Sequence, residues 1–128
     1  MRVLFVGDIV GKGGRKAVRS LVPSLREEYG CSFCVANGEN MAGGAGMTRK
    51  CLQQLEDSTV EVFTGGDHMW DQKDFVQDIA GISNVLRPAN ACSSQPGRGY
   101  DVFTDGNGRR IGVICLQGRV FLNSLADC

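Results

Sequence analysis

Three apolar runs rich in β-branched and aromatic residues, VLFV at 3–6, FCVAN at 33–37 and VEVFT at 60–64, each give way to a glycine-bearing polar segment and then to a stretch with helical periodicity. Short apolar runs bounded by turn residues fit the buried strands of a parallel sheet. Arg2 to Gly7 therefore predicts a buried first strand, and IVGKGGRK a glycine turn into a helix from about Arg15 to Tyr29. Val18, Leu21, Val22 and Leu25 form the apolar stripe of that helix, and Pro23 within it predicts a kink or a two-part helix. Phe33 to Asn37 is the second strand; AGGAG at 42–46 is a loop, and Thr48 caps the helix that follows. Val60 to Thr64 is the third strand. Asp71 then opens a helix with Asp74 in its first turn and Phe75, Val76 and Ile79 inward. Residues 87–100 read as a loop, and Val102 to Thr104 with Ile111 to Leu116 flank DGNGRR as a hairpin.

Strands alternating with helices predict an α/β fold, a mostly parallel sheet with flanking helices and right-handed crossovers. In such a sheet the carboxyl ends of the strands share one edge, where ligands bind. Each of the three runs delivers an acid to that edge: Asp8, Glu39 and Asp67. Carboxylates held close together repel, so one takes up a proton or a multivalent cation sits between them. Asn40 adds a carbonyl oxygen and His68, the single histidine, a nitrogen. Mixed oxygen and nitrogen donors suit Mn²⁺, Fe or Zn²⁺ better than Ca²⁺. Glu39, central in the series, suits a bridge between two metals about 3.5–4 Å apart.

Glycine changes the picture further. Its 18 copies in 128 residues are about twice the usual share and gather around the three acids. Gly43 and Gly44 there let backbone N–H groups approach a phosphate. The plainer reading is that an acid after a strand only caps the next helix, as Asp71 is expected to do. That reading is strongest for Asp8 alone and weakest for the three acids together with Asn40 and His68. Trp70 walls the site or packs in the core.

The 14 basic and 14 acidic side chains cancel, and no Lys/Arg stripe along one face is expected, so charge gives no nucleic-acid or membrane footprint. The opening MRVLFVGD is too short for a secretory core and no run would span a bilayer, which points to the cytoplasm. Six cysteines without an export signal are expected to stay reduced. Cys31 and Cys34 form a C-x-x-C at the entrance to a strand, a structural placement rather than a redox one.

The strings GDIVGKGGR, ANGENMAGG, GGDHMWD, LRPAN, PGRGY and LQGRVF, collinear over nearly the whole chain, resemble the YmdB-like branch of the calcineurin-type metallophosphoesterases. The resemblance implies a dinuclear metal phosphodiesterase with a two-sheet α/β sandwich, a metal-activated hydroxide, and cyclic nucleotides among its phosphodiester substrates. It places Asp8 on one metal, Glu39 between both, Asn40 beside them and position 67 on the second metal. His68 would contact the phosphate and protonate the leaving group. Gly66-Asp67-His68 replaces the family's Gly-Asn-His, so a neutral ligand has become a carboxylate. That change should tighten metal binding and lower Lewis acidity.

Family members run about twice this length, and their later half supplies one further histidine and a His-x-His pair. The resemblance thus makes residues 1–128 a metallophosphoesterase-like domain truncated at its C-terminus. It would form a homo-oligomer or pair with the missing half, and would expose an apolar sheet face. The alternative function is a catalytically impaired binding or assembly module. A Rossmann-type nucleotide binder fits poorly, because GDIVGKGG is out of register for G-x-G-x-x-G.

Overall fold

The computed structural model describes residues 1–118 and 120; Arg119, Phe121 and Cys128, drawn on above, lie outside the described residues. Along the chain lie β1 (Val3–Val6), α1 (Gly11–Tyr29), β2 (Phe33–Asn37), α2 (Arg49–Gln53), β3 (Val62–Thr64), α3 (Lys73–Asp78), β4 (Val85–Leu86), β5 (Tyr100–Thr104) and β6 (Arg110–Ile114). Short 3-10 turns occupy Glu56–Ser58, Asp67–Trp70 and Ile79–Gly81. The first four strands make one parallel sheet in the order β1-β2-β3-β4, with Val3 beside Phe33, Val35 beside Val62 and Phe63 beside Val85. β5 and β6 pair antiparallel, Tyr100 opposite Ile114 and Thr104 opposite Arg110.

Alternation along the strands divides the core in two. Leu4, Val6, Cys34, Ala36, Phe63 and Val85 face the helices, where Val18 and Val22 of α1, Cys51 of α2, and Phe75 and Ile79 complete a buried cluster. Their neighbours Phe33, Val35, Val62 and Leu86 face the other way, against Phe103, Ile111, Val113 and Cys115 of the hairpin. The hairpin stops short of β1. Val3 and Phe5 are 44% and 63% exposed, so β1 is an edge strand with one bare face rather than the buried strand that its composition predicts.

Five other expectations change. α1 begins at Gly11, about four residues early, and runs through Pro23 as one continuous helix. The bond that proline denies to the Arg19 carbonyl is outweighed by burial of Val18 and Val22 against the sheet. Leu21, counted in the apolar stripe, is exposed. The earlier start also puts Lys12 and Lys16 one turn apart, with Arg15 and Arg19 beside them. All four line one groove with Gln54, so α1 does carry a basic stripe. Finally, β4 is two residues long and hidden inside NVLRP, too short to register as a strand.

Local signals hold where a side chain completes them. Thr48 accepts a bond from the Cys51 amide at 3.2 Å and caps α2, and Gly30, left-handed with φ 60°, closes α1. At the hairpin turn Asp105 accepts from the amides of Asn107 and Arg109 and from Arg109 Nε. Cys31, Cys34, Cys51 and Cys115 are free thiols, and burial pushes Cys34 and Cys115 up to about 11, far from a reactive thiolate. No helix among the described residues is long and apolar enough to cross a membrane.

Candidate metal and phosphoester site

The parallel order carries the ends of β1, β2 and β3 to one edge, and the loops leaving them hold the predicted residues. Asp8 follows β1 with φ 28°, a left-handed value that a non-glycine residue adopts only when its surroundings enforce it. Its carboxylate accepts a bond from Asn40 Nδ2 at 2.8 Å, which joins the first loop to the second. The backbone repeats the link: the Ile9 amide donates to the Asn37 carbonyl at 2.9 Å and the Gly11 amide to the Asn40 carbonyl at 3.0 Å.

Glu39 lies deeper. Asn37 Nδ2 donates to its Oε1 at 3.4 Å and to the Gly65 carbonyl at 3.3 Å, tying the second loop to the third. Cys115 Sγ donates to the same carbonyl at 3.4 Å from the hairpin side. Among the described residues Glu39 Oε2 is buried without a hydrogen-bond partner. A Cβ on Gly66 would sit 1.8 Å from it, so any larger residue there must turn this carboxylate aside. Burial, followed by the nearby charge of Asp67, holds Glu39 above the usual carboxylate range; the His68 amide and the Asn37 side chain offset this in part. Asn40 Oδ1 is likewise buried and has no partner among the described residues.

Asp67 and His68 stand on the turn after β3. His68 Nε2 is 3.9 Å from Asp67 Oδ2, and Nδ1 is 2.6 Å from Asp71 Oδ2. That bond to Asp71, ahead of the neighbouring acids, raises the imidazole above its ordinary pKa. Asp71 therefore orients His68 and does not open α3, where Gln72 takes the cap position without a side-chain bond. Trp70 packs partly buried against the helix-side core. Gly43 and Gly44, with φ 78° and 102°, form an exposed bend with open space at both Cβ positions.

The edge thus brings together Glu39, Asp67 and His68, and separately Asp8 with Asn40. Among the described residues no three His, Cys, Asp or Glu side chains close into a metal cluster. The donor chemistry still fits hard divalent cations: two buried oxygens with no partner, and carboxylates whose mutual repulsion a cation would relieve. Asn37, Asp71 and Cys115 carry this arrangement without having been singled out in the sequence. Asp71 alone had a visible signal, its position three residues after His68 on a helical turn.

Residues 4–128 match the family described as YmdB-like protein. The chain belongs to the YmdB-like family. It is 42% identical over 127 residues to the 2′,3′-cyclic-nucleotide 2′-phosphodiesterase of Bacillus subtilis (strain 168), covering 99% of this chain and 48% of that protein. A Mycoplasma genitalium protein provisionally named a phosphatase/phosphodiesterase is 32% identical over 122 residues, 92% of this chain and 43% of its own length. A hypothetical protein from Thermus thermophilus superposes with TM-score 0.87 at 34% identity, over 99% of this chain and 49% of that one. A novel phosphatase from Mycoplasma pneumoniae gives 0.82 at 28%, over 91% and 42%. This YmdB-like chain spans about half the length of the curated relatives it matches.

Proposed function

We propose that the chain holds the metal-binding edge of a phosphodiesterase that acts on cyclic nucleotides and related phosphodiesters. The observation that carries this reading is the buried, unpartnered Glu39 Oε2 facing the charge of Asp67. In the reading, Asp8, Asn40, Glu39 and Asp67 hold two divalent ions, iron or manganese first and zinc acceptable. Bound there, such ions neutralise phosphoryl charge and acidify a water. His68 keeps Nδ1 on Asp71 and presents Nε2 to the leaving oxygen, and the bond to Asp71, by raising its pKa, favours the protonated form that donates. The backbone N–H groups of Gly43 and Gly44 approach the phosphate. Cyclic nucleotides enter as substrates through the name of the Bacillus subtilis relative.

The test is metal content by plasma mass spectrometry after exchange into manganese or iron and desalting, with Asp8→Asn in parallel. About two metals per chain, reduced in the variant, support the reading. Metal retained equally by Asp8→Asn sinks the site assignment. No metal in either protein favours the binding-module alternative. Hydrolysis of a 2′,3′-cyclic nucleotide by the metal-loaded chain, lost in His68→Ala, supports the role of the histidine.

A further inference from the structure

The groove on α1 lies outside this site. It encloses about 220 Å³ and is lined by Lys12, Arg15, Lys16, Arg19 and Gln54. The chain as a whole is neutral, yet here four cations share two helical turns, and the first turn holds no acid. The N-terminal end of a helix is its positive end, so local stability disfavours this placement. Arg15 is engaged, donating to Gln54 Oε1 at 2.8 Å and to the Met41 carbonyl, which ties the groove wall to the loop after Glu39. Lys12, Lys16 and Arg19 make no ion pair among the described residues. From Lys12 to Arg19 the helix rises roughly 10 Å. Its first amide, on Gly11, is bonded to the Asn40 carbonyl, so the cationic track starts one residue from the candidate site.

We propose that this groove takes the backbone phosphates of a single-stranded oligonucleotide whose end phosphodiester lies at the Asp8–Glu39 edge. The proposal rests on the phosphodiesterase reading and names its substrate class more narrowly, as a phosphodiester followed by further phosphates. Guanidinium forks and ammonium groups spaced along a helix pair with successive phosphates, and their continuity with an edge built for a phosphoryl group favours nucleic acid over an acidic peptide.

The experiment is fluorescence anisotropy of a labelled, short single-stranded oligoribonucleotide with the 128-residue chain in EDTA, at several KCl concentrations. Three phosphate contacts predict a slope of log affinity against log salt of about −2. In Lys16→Gln/Arg19→Gln the slope should shrink to about −0.7, with affinity at low salt falling at least about tenfold. Both side chains are exposed, so the fold should survive. Arg110→Gln, on the exposed face of β6, should leave slope and affinity unchanged. Equal losses in both variants, unchanged binding in the double variant, or equal affinity for a polyglutamate peptide would each overturn the proposal. Because EDTA removes metal, this readout is independent of the metal site. Asp8→Asn should keep oligonucleotide binding, so failure of the groove and failure of the phosphodiesterase reading give different results.

Discussion

A methyl group added at residue 66 has nowhere to go except into the Glu39 carboxylate, 1.8 Å from Oε2. The backbone there is extended, with φ −168°, so the constraint is space rather than strain. Gly66→Ala should turn the Glu39 carboxylate aside and so reduce metal retention at least about tenfold, at a stability cost of about 1 kcal/mol or less because only the end of a flexible side chain must move; metal analysis beside denaturant melts would show both. The His68–Asp71 pair makes a prediction for which the single histidine is convenient, since one imidazole signal reports it. Asp71→Asn should lower the pKa of His68 toward the ordinary value of about 6.5 in an NMR titration. A raised histidine pKa stabilises the fold below the unfolded value, and the gain fades as pH rises through the folded one, so the variant should lose stability at about pH 6 and little at about pH 9. At this scale the positions of Asp8, Glu39, Asp67 and His68 at one sheet edge were legible because each follows a strand. Asn37 and Asp71 act by reaching across to another loop or back along a turn, and such contacts leave no periodic trace.

Element boundaries followed the local chemistry that sets them. Thr48 was readable as a cap, and its bond to Cys51 predicts that Thr48→Ala will cost about 1 kcal/mol in urea unfolding. The start of α1 was misplaced because GKGG reads as a turn by propensity, whereas the packing of Val18 and Val22 draws the helix back to Gly11. The misplaced start also hid the basic stripe, which exists only in helical register. The β5–β6 turn carries a pH prediction. Burial alone would raise the Asp105 carboxyl, but the Arg109 side chain and the amides of Arg109 and Asn107 hold it well below the usual range. A depressed carboxylate stabilises the fold above its unfolded pKa and loses that contribution as pH falls. The stability gap between the wild-type chain and Asp105→Asn should therefore be full near neutrality and narrow below about pH 4 in urea titrations.

Across the whole molecule the sheet has one face under helices and the other only partly under a hairpin. Phe33 and Phe5 differ by this alone: one is fully buried against the hairpin, the other 63% exposed on β1. Phe33→Ala should cost about 3–5 kcal/mol, and Phe5→Ser well under half as much while reducing the binding of a hydrophobic dye. The parallel architecture was legible from alternating strands and helices, and the resemblance implied an exposed apolar sheet face, but composition did not place that face on β1, because edge and centre strands share the same apolar make-up. The strand order has a consequence for synthesis. Neighbours in the sheet are also neighbours in time, so each strand leaving the ribosome docks on the rim just completed and none must be threaded between partners already joined. Asp8, Glu39 and Asp67 therefore arrive at their shared edge in the order of translation, and the hairpin, closed by a local turn, follows them to cover the rear of strands already in place.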